Sequence, residues 1–566
     1  MSKWIYALGI YALTNLSACS NIHGTIDPAS AADLIISGGP IVTMDSANPD
    51  AEAVAIKDGK IIAVGSRKKI NSYRGANSEQ LDLAERTLIP GFIDGHSHFS
   101  QAISAASWAN VSGAPVGEIS SIADILTEVQ ALKTRNEVSP GEWLVAYGYD
   151  ADTLSDDRNI NRDDLDAAFP DNPVVLIHVS FHGAVLNSQA FAAIGYDEST
   201  TTPEGGIIVR RKDSNEPLGL IMETAWFPAA AHIMQPDKDQ RSKNLLRAQN
   251  YYASNGVTTA QDGAANTADF NLYKEAAARG DLILDLVALG SFAEVPAFME
   301  MYGEYSSYKN RLKIGGIKLV TDGSPQGKTA FFTEPFLTGG PGGETNWHGE
   351  PLLPAEEFEQ VLAGVYRADI PAFIHANADA AIDMVLNAHK KHRELASENI
   401  RTVIIHSQFM RRDQLEAYAE FNMVPSFFSN HAFFWGDVHV KNLGEQRAHF
   451  LSPMKTAAGM GIHFTNHSDY MVTPLNPLFT MWSAVNRISR SGNIIGAGER
   501  ISAEQALKSI TLDGAWQYFE EDSKGSITVG KLADLVILDA NPLTVEPMDI
   551  KNIKVVATYK EGKKIY

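Results

Sequence analysis

The chain has 566 residues, 44% of them hydrophobic and 20% charged, an ordinary globular composition with length enough for one large α/β barrel and an accessory domain. Its formal charge of -21, from 47 basic against 68 acidic residues, and the lack of a dense Lys/Arg run argue against nucleic acid as a partner. A single cysteine, Cys19, rules out an internal disulfide.

That cysteine closes the opening stretch "MSKWIYALGIYALTNLSACSN", in which Lys3 precedes a mostly apolar run and small residues lead up to Cys19. The layout is that of a secretory signal, not of a spanning helix, although Tyr6, Tyr11, Thr14 and Asn15 interrupt the run. Leu16-Ser17-Ala18-Cys19 resembles a bacterial lipobox, whose cleavage leaves the cysteine as a lipidated N-terminus. Residues 1–19 are therefore expected to be a signal peptide, and the protein an exported, membrane-anchored lipoprotein facing the periplasm or cell exterior. The alternatives are a plain signal peptide with a soluble periplasmic product, or a poorly ordered N-terminus of a cytosolic protein.

After a polar linker, "ADLIISGGPIVTM" and "AEAVAIKDGKIIAVGS" read as short antiparallel strands with a tight "KDGK" turn. The same alternation returns only at the far end, in "GSITVGKLADLVILDANP" and "IKNIKVVATYKEGKKIY". The two ends, 33–87 and 521–566, are expected to combine into one small sheet domain around a long middle with its own core. In that middle, 88–520, strand-like segments alternate with stretches long enough for helices: "TLIPGFIDGHSHF", "GVTTAQDG", "LILDLVALG", "IGGIKLVTDG", "PAFIHANAD", "RTVIIHSQ", "NMVPSFFSN" and "GIHFTNHSDY". This pattern predicts parallel strands with crossovers, closed into a (β/α)8 barrel. The interval at about 100–255 is too long for one crossover. Its further strand-like runs predict an inserted subdomain over the barrel mouth. The Gly-rich loop 337–350 fits a mobile active-site loop and a passive surface excursion equally.

His96 and His98, one residue apart after Asp94, fall on the same face of an extended strand, a chelating geometry. His375, His406 and Asp469 stand near the C-terminal ends of the fifth, sixth and eighth segments, and Lys318 within the fourth. A barrel brings all such ends to one mouth. One buried histidine is more often a hydrogen-bonded core residue than a ligand, but four at matched strand ends with an aspartate point to a metal site. Imidazole and carboxylate ligands suit Zn²⁺, and equally Mn²⁺, Fe²⁺ or Co²⁺. An ammonium would be repelled by a cation, so Lys318, among Ile317, Leu319 and Val320, is neutral, faces away or is chemically altered.

The series "PGFIDGHSHF", "IKLVTDGSPQGKTA", "FIHANADAAID", "IIHSQ" and "NHSDYMVTPLNPLFTMWSAVNR", closed by "GSITVGKLADLVILD", resembles the amidohydrolase superfamily, in the branch that includes N-substituted formamide deformylase. The resemblance implies a distorted (β/α)8 TIM barrel, a β-sandwich built from both termini, and two divalent metal ions, zinc foremost. It implies that His96, His98 and Asp469 hold the more buried metal, His375 and His406 the second, and that Lys318 reacts with carbon dioxide to give a bridging carbamate. Lys328 stands where the branch usually has arginine, and "NHSD" replaces its usual "GSD".

The expected activity is hydrolysis of a C–N bond in an amide, formamide or related N-acyl small molecule, by a hydroxide held on the metals with Asp469 relaying the proton. An ester or lactone hydrolase is the first alternative; a deaminase or a non-catalytic binding lipoprotein comes behind. For substrate contacts the candidates are His182, Tyr149, Asp150, Lys328 and His431. His182 and Tyr149 have equally ordinary packing readings. None of His431, His463 and His467 is assigned as a ligand, although His467 shares the face of Asp469 on a strand. "PSFFSNHAFFWGD" suggests either an apolar substrate group or rim packing. The resemblance also implies a homodimer, without locating its interface.

Overall fold

The computed structural model describes residues 31–566 other than 106, 115 and 234–237. The signal peptide and lipobox expected around Cys19 lie outside the described residues. Eight parallel strands follow one another in a curled sheet in chain order: Phe92–Ile93, Val257–Ala265, Asp285–Gly290, Leu312–Val320, Ala372–Ala378, Val403–Phe409, Val424–Phe427 and Thr465–Asn466. Each overlaps one of the eight segments expected from the sequence, although the strands Val257–Ala265, Leu312–Val320 and Val403–Phe409 run one or two residues beyond theirs. Beyond the first and last strands the chain draws together. Ser97 bridges to Tyr470, the His98 N–H donates to the Tyr470 carbonyl at 2.7 Å, and the Asp469 N–H donates to the His96 carbonyl at 3.2 Å.

Helices cover the outside of this sheet because their apolar residues recur at helical spacing. In Ala355–Arg367 the buried positions are Phe358, Leu362, Ala363, Val365 and Tyr366, one stripe facing the strands. Thr267–Arg279 begins at an Asn266/Asp269 capping box and stops at Gly280, whose φ of 77° is the left-handed conformation that ends helices. Inside the sheet, Ile93, Val287, Leu289, Phe373, Val403 and Ile405 fill the lower interior, beneath the residues that reach the mouth.

The two ends of the chain form two four-stranded sheets. One is Lys60–Gly65, Ala53–Lys57, Leu34–Ser37 and Glu79–Asp82; the other is Lys563–Lys564, Val555–Lys560, Leu535–Leu538 and Thr87–Pro90. Ile36, Val54, Ile56, Leu88, Leu535 and Ile537 belong to one apolar cluster shared between them. The "KDGK" turn places Asp58 and Gly59 at φ 49° and 77°, the left-handed pair a two-residue hairpin needs. Gly91 marks the passage from this sheet to the barrel. Thr87–Pro90 pairs antiparallel with Leu535–Leu538, whereas Phe92–Ile93 pairs parallel with the strand from Val257, and a Cβ at Gly91 would run into the Thr258 side chain.

The inserted segment has a sheet of its own, ordered Gly206–Arg210, Pro217–Glu223, Gly183–Leu186, Val174–His178, Leu144–Tyr149 and Ala109–Asn110. The run "NPVVLIHVSFHGAVL" divides into two antiparallel strands, Ala184 opposite Ile177, so that His182 lies in the turn between them. That turn reaches the barrel mouth, where the His182 ring lies 5.1 Å from that of His375. Trp435 adds a second contact, its indole N–H donating to Asp150 Oδ2 at 3.0 Å. The loop at 337–350 is tied down: Phe336 N–H donates to the Trp347 carbonyl at 2.8 Å, and the Trp347 indole donates to the Lys328 carbonyl at 2.6 Å.

Candidate metal centre

Strand alternation alone carries Lys318 and His375 to the mouth. Lys318 is two residues beyond Gly316, and His375 two beyond the inward-facing Phe373. His406 breaks the rule. Val403 and Ile405 face the interior while Ile404 packs outside, so plain alternation would send His406 outward. Instead His406 and Ser407 adopt left-handed backbone, φ 75° and 43°, and the imidazole turns inward. Asp469 is left-handed as well, with φ 48°.

All six residues expected to hold metal are brought together. Asp469 Oδ1 lies 3.5 Å from His96 Nε2 and 3.4 Å from His98 Nε2, and Lys318 Nζ lies 3.2 Å from His96 Nε2. On the other side His406 Nε2 lies 3.1 Å from His375 Nδ1 and 3.9 Å from Asp469 Oδ2. Burial pushes His96, His375 and His406 well below 6.5, with the Lys318 ammonium adding to the effect on each, so all three present neutral rings with a lone pair. Burial also brings the Lys318 amine down to about 7. For Asp469 burial works the other way, but the close approach of His98 and the adjacent His96 and His467 imidazoles hold the carboxyl well below the usual carboxylate range.

The arrangement fits cations. Asp469 Oδ1 is buried with no hydrogen-bond partner, nitrogen lone pairs converge on it, and the absence of a Cβ at Gly263 leaves room for the His96 ring. Outer partners orient the rings: His96 Nδ1 is 2.6 Å from Gln261 Oε1, and His375 Nε2 is 3.3 Å from Asp322 Oδ1 and 3.1 Å from Asn377 Nδ2. Burial raises the Asp322 carboxyl to about 7 against the pull of three backbone N–H groups.

The remaining candidates separate. His182 is at the centre, its Nδ1 2.9 Å from Glu223 Oε2; burial pushes it down, but Glu223 outweighs that and holds it above 6.5. Glu223 Oε1 is buried without a hydrogen-bond partner. A cleft of about 260 Å³ runs past Tyr470 and Met471, which follow Asp469 in the chain, and is lined also by Tyr147, Asp150, Tyr251, Trp435 and Arg490 among others, with none of the six residues expected to hold metal in its wall. Asp150 is therefore at the cleft, as expected. Tyr149 is not: the register shifts between Tyr147 and Tyr149, Tyr147 takes the lining position, and the Tyr149 hydroxyl donates to Asn159 at 2.7 Å. His431 is packed behind Trp435 and paired with His439 at 3.0 Å, and Lys328 is outside the lining, its carbonyl held by Trp347.

His463 stands away from the centre, stacked 4.4 Å from Trp516 and bonded to Asp513. His467, passed over as a ligand, is in the cluster, and with His406 and Asp469 forms a group close enough to hold an ion. Its shared face with Asp469 was the available signal. Gln261, Asp322 and Glu223 had none, because each becomes significant only through a neighbour distant in the chain.

A family model described as "Amidohydrolase family" matches residues 79–566. The chain belongs to the amidohydrolase family. It is a hydrolase by that membership, and the resemblance seen in its motifs extends over nearly the whole chain. It is 27% identical over 547 residues to N-substituted formamide deformylase of Arthrobacter pascens, covering 94% of this chain and 97% of that one. It is also 27% identical over 566 residues to Protein LONG AFTER FAR-RED 3 of Arabidopsis thaliana, covering 97% and 94%. Among solved structures, an uncharacterized metal-dependent hydrolase from Pyrococcus horikoshii superposes with a TM-score of 0.71 at 23% identity, covering 91% of this chain and 99% of that one. An amidohydrolase of this kind acts on a small-molecule substrate.

Proposed function

We propose that the protein is a metal-dependent hydrolase that cleaves the C–N bond of an amide, formamide or related N-acyl compound. The observation that carries this reading is the pair of facing donor sets, His96/His98 and His375/His406, on either side of the unpartnered Asp469 Oδ1. The likeness to a formamide deformylase over almost the full length of both chains favours a C–N bond. Two divalent ions held there, zinc first among candidates, would polarise a carbonyl and activate water near neutral pH.

Lys318 supports a two-metal centre by its chemistry. A buried amine with a pKa near 7 is substantially neutral, and its lone pair can form an N–C bond to carbon dioxide with loss of a proton, giving a carbamate anion between the two donor sets. Asp469 Oδ1 accepts the proton of the attacking water and returns it to the departing nitrogen. His182, pinned by Glu223, faces the substrate carbonyl from the inserted subdomain. The cleft with Tyr147, Tyr251, Tyr470 and Trp435 receives the nitrogen substituent, an apolar or aromatic group. We further read the two terminal sheets as one small sandwich domain, and the segment ending at Cys19 as the signal of an exported, lipid-anchored protein. Among the described residues no helix is long and apolar enough to cross a membrane.

The test is metal content per chain, for wild type and Lys318→Ala prepared alike, followed by a panel of formamides, N-acyl amines, esters and lactones. About two metals in wild type, fewer in the variant and partial restoration by short carboxylic acids are expected, with turnover of the N-acyl compounds. One metal in both would overturn the bridged centre and favour deaminase chemistry. Turnover confined to esters or lactones would overturn the C–N assignment alone.

A further inference from the structure

His406 differs from His96, the fully buried ring of the first pair, in what lies behind it. Behind His96 is the carboxamide oxygen of Gln261. Behind His406 is another imidazole: His406 Nδ1 lies 3.2 Å from His467 Nε2, and both rings are almost fully buried. Which nitrogen of His406 carries its hydrogen decides which lone pair it offers, and that choice depends on His467.

The direction of the hydrogen bonds follows from the far end. Gln517 Nε2 donates to the Gly95 carbonyl at 2.8 Å, and a carbonyl can only accept, so the Gln517 amide is oriented with Oε1 toward Thr465. Thr465 Oγ1 donates to that oxygen at 2.7 Å. Thr465 has one proton and two acceptors in reach, Gln517 Oε1 at 2.7 Å and Ser426 Oγ at 2.8 Å; an amide oxygen has no proton to give in return, so the proton goes to Gln517 and the Ser426 hydroxyl turns to donate to Thr465 Oγ1. Ser426 Oγ is then left to accept, and His467 Nδ1, 2.9 Å away, carries the hydrogen it accepts. With its hydrogen on Nδ1, a neutral His467 has a bare Nε2. The Nδ1–H of His406 points there, and the His406 lone pair is on Nε2, toward His375 Nδ1.

We propose that His467 is a positioning residue, the last link of a one-way polar chain from the Gly95 carbonyl through Gln517, Thr465 and Ser426, which holds His406 in the tautomer that offers Nε2 to the second metal. The proposal rests on the two-metal reading above. It assigns His467 to the outer side of His406, although its distance from His406 and Asp469 would also permit direct ligation. The outer assignment is favoured because Nε2 is occupied by the His406 N–H and Nδ1 by Ser426, which leaves neither nitrogen of His467 for an ion. An imidazole here is a neutral acceptor, so the chain fixes the geometry of His406 without adding charge.

The test measures Zn²⁺ stoichiometry and the affinity of the weaker site by chelator competition, with the absorption spectrum of the Co²⁺-loaded protein as a second readout. His467→Leu removes the acceptor, and the weaker site is expected to lose about 10–100-fold in affinity while still filling to two ions at saturation. His467→Gln can accept from His406 and donate to Ser426, and is expected to stay within about threefold of wild type, with the Co²⁺ spectrum restored. Thr465→Val, nearly isosteric, cuts the chain two links away and is expected to weaken the site several-fold. It carries the decision with His467→Gln should the leucine variant not fold. Saturation of His467→Leu at one ion would make His467 a ligand and overturn the outer role. Unchanged affinity in the leucine and valine variants would reduce the chain to packing and overturn it too. Fewer than two ions in wild type would instead overturn the two-metal reading, before His467 is at issue.

Discussion

The two ends of the barrel handle buried charge in opposite ways. At the floor, Lys524 lies 2.7 Å from Asp285 and 2.6 Å from Glu520, and Lys560 lies 2.7 Å from Asp285 and 2.8 Å from Asp534. Lys313 pairs with Glu520, and Arg311 with Asp285 and Glu561. Every ammonium there lies against a carboxylate. At the mouth, imidazole nitrogens face one another at 3.1–3.2 Å, Lys318 lies beside an imidazole, and Asp469 Oδ1 has no hydrogen-bond partner. The floor also borders the larger cavity, about 600 Å³ against about 260 Å³ at the mouth. Volume is therefore a poor guide to the site; the side whose charges and lone pairs are left without complements is the one built for an exogenous ligand. The floor network instead clasps the terminal sheet to the barrel, since Asp534 and Lys560 come from the sheet region and Asp285 from a barrel strand.

This contrast can be broken first at Asp469. Asp469→Asn keeps the shape of the mouth but removes the base, and turnover is expected to fall by about 10²–10⁴-fold; turnover that survives in metal-loaded protein would sink the proton-relay role. Asp285→Asn, at the floor, should do the reverse. It takes one of two carboxylates from each of the buried Lys524 and Lys560 ammonium groups, which keep Glu520 and Asp534, and is expected to cost about 3 kcal/mol in urea unfolding, with kcat/KM of the remaining folded protein unchanged.

The pH dependence of that loss sharpens the comparison. Burial alone would raise the Asp285 carboxyl, but Lys524 and Lys560 outweigh it and hold the group below its ordinary 3.8. A depressed folded value means that the stabilisation is fully present above the unfolded value of about 3.9 and is lost as the pH falls through the folded one. The gap in unfolding free energy between wild type and Asp285→Asn should thus be constant from pH 7 to about 5 and shrink only below about 4. A gap that shrinks already between pH 7 and 5 would show that another group carries it. The smallest effect is expected at the cleft wall. Trp435→Phe loses the hydrogen bond to Asp150 Oδ2 and should raise KM for bulky N-acyl substrates a few-fold, at a stability cost of about 1 kcal/mol; unchanged KM across substrates of different size would remove this wall from recognition.

Much of the barrel was legible because its strands are short apolar runs separated by helix-length intervals, and a parallel barrel has to bring their C-terminal ends together. His96, His98, His375 and Asp469 could be assembled from that rule alone. Tyr149 could not, since a register shift, which no residue pattern announces, gave its place to Tyr147. His406 reached the mouth against strand alternation, through left-handed backbone that only the packed barrel imposes.

What the sequence by itself determined is local and periodic: the alternation that makes strands, the stripes that make helices, the turn at Asp58 and Gly59, and residue types suited to metal at strand ends. Tertiary structure alone decided which groups act on which. Gln261 behind His96, Glu223 behind His182, and the chain from Gly95 through Gln517 to His467 join residues up to hundreds of positions apart. The physical reason is that a hydrogen bond or a shared proton depends on distances of about 3 Å, and only the folded chain sets distances between remote residues that closely.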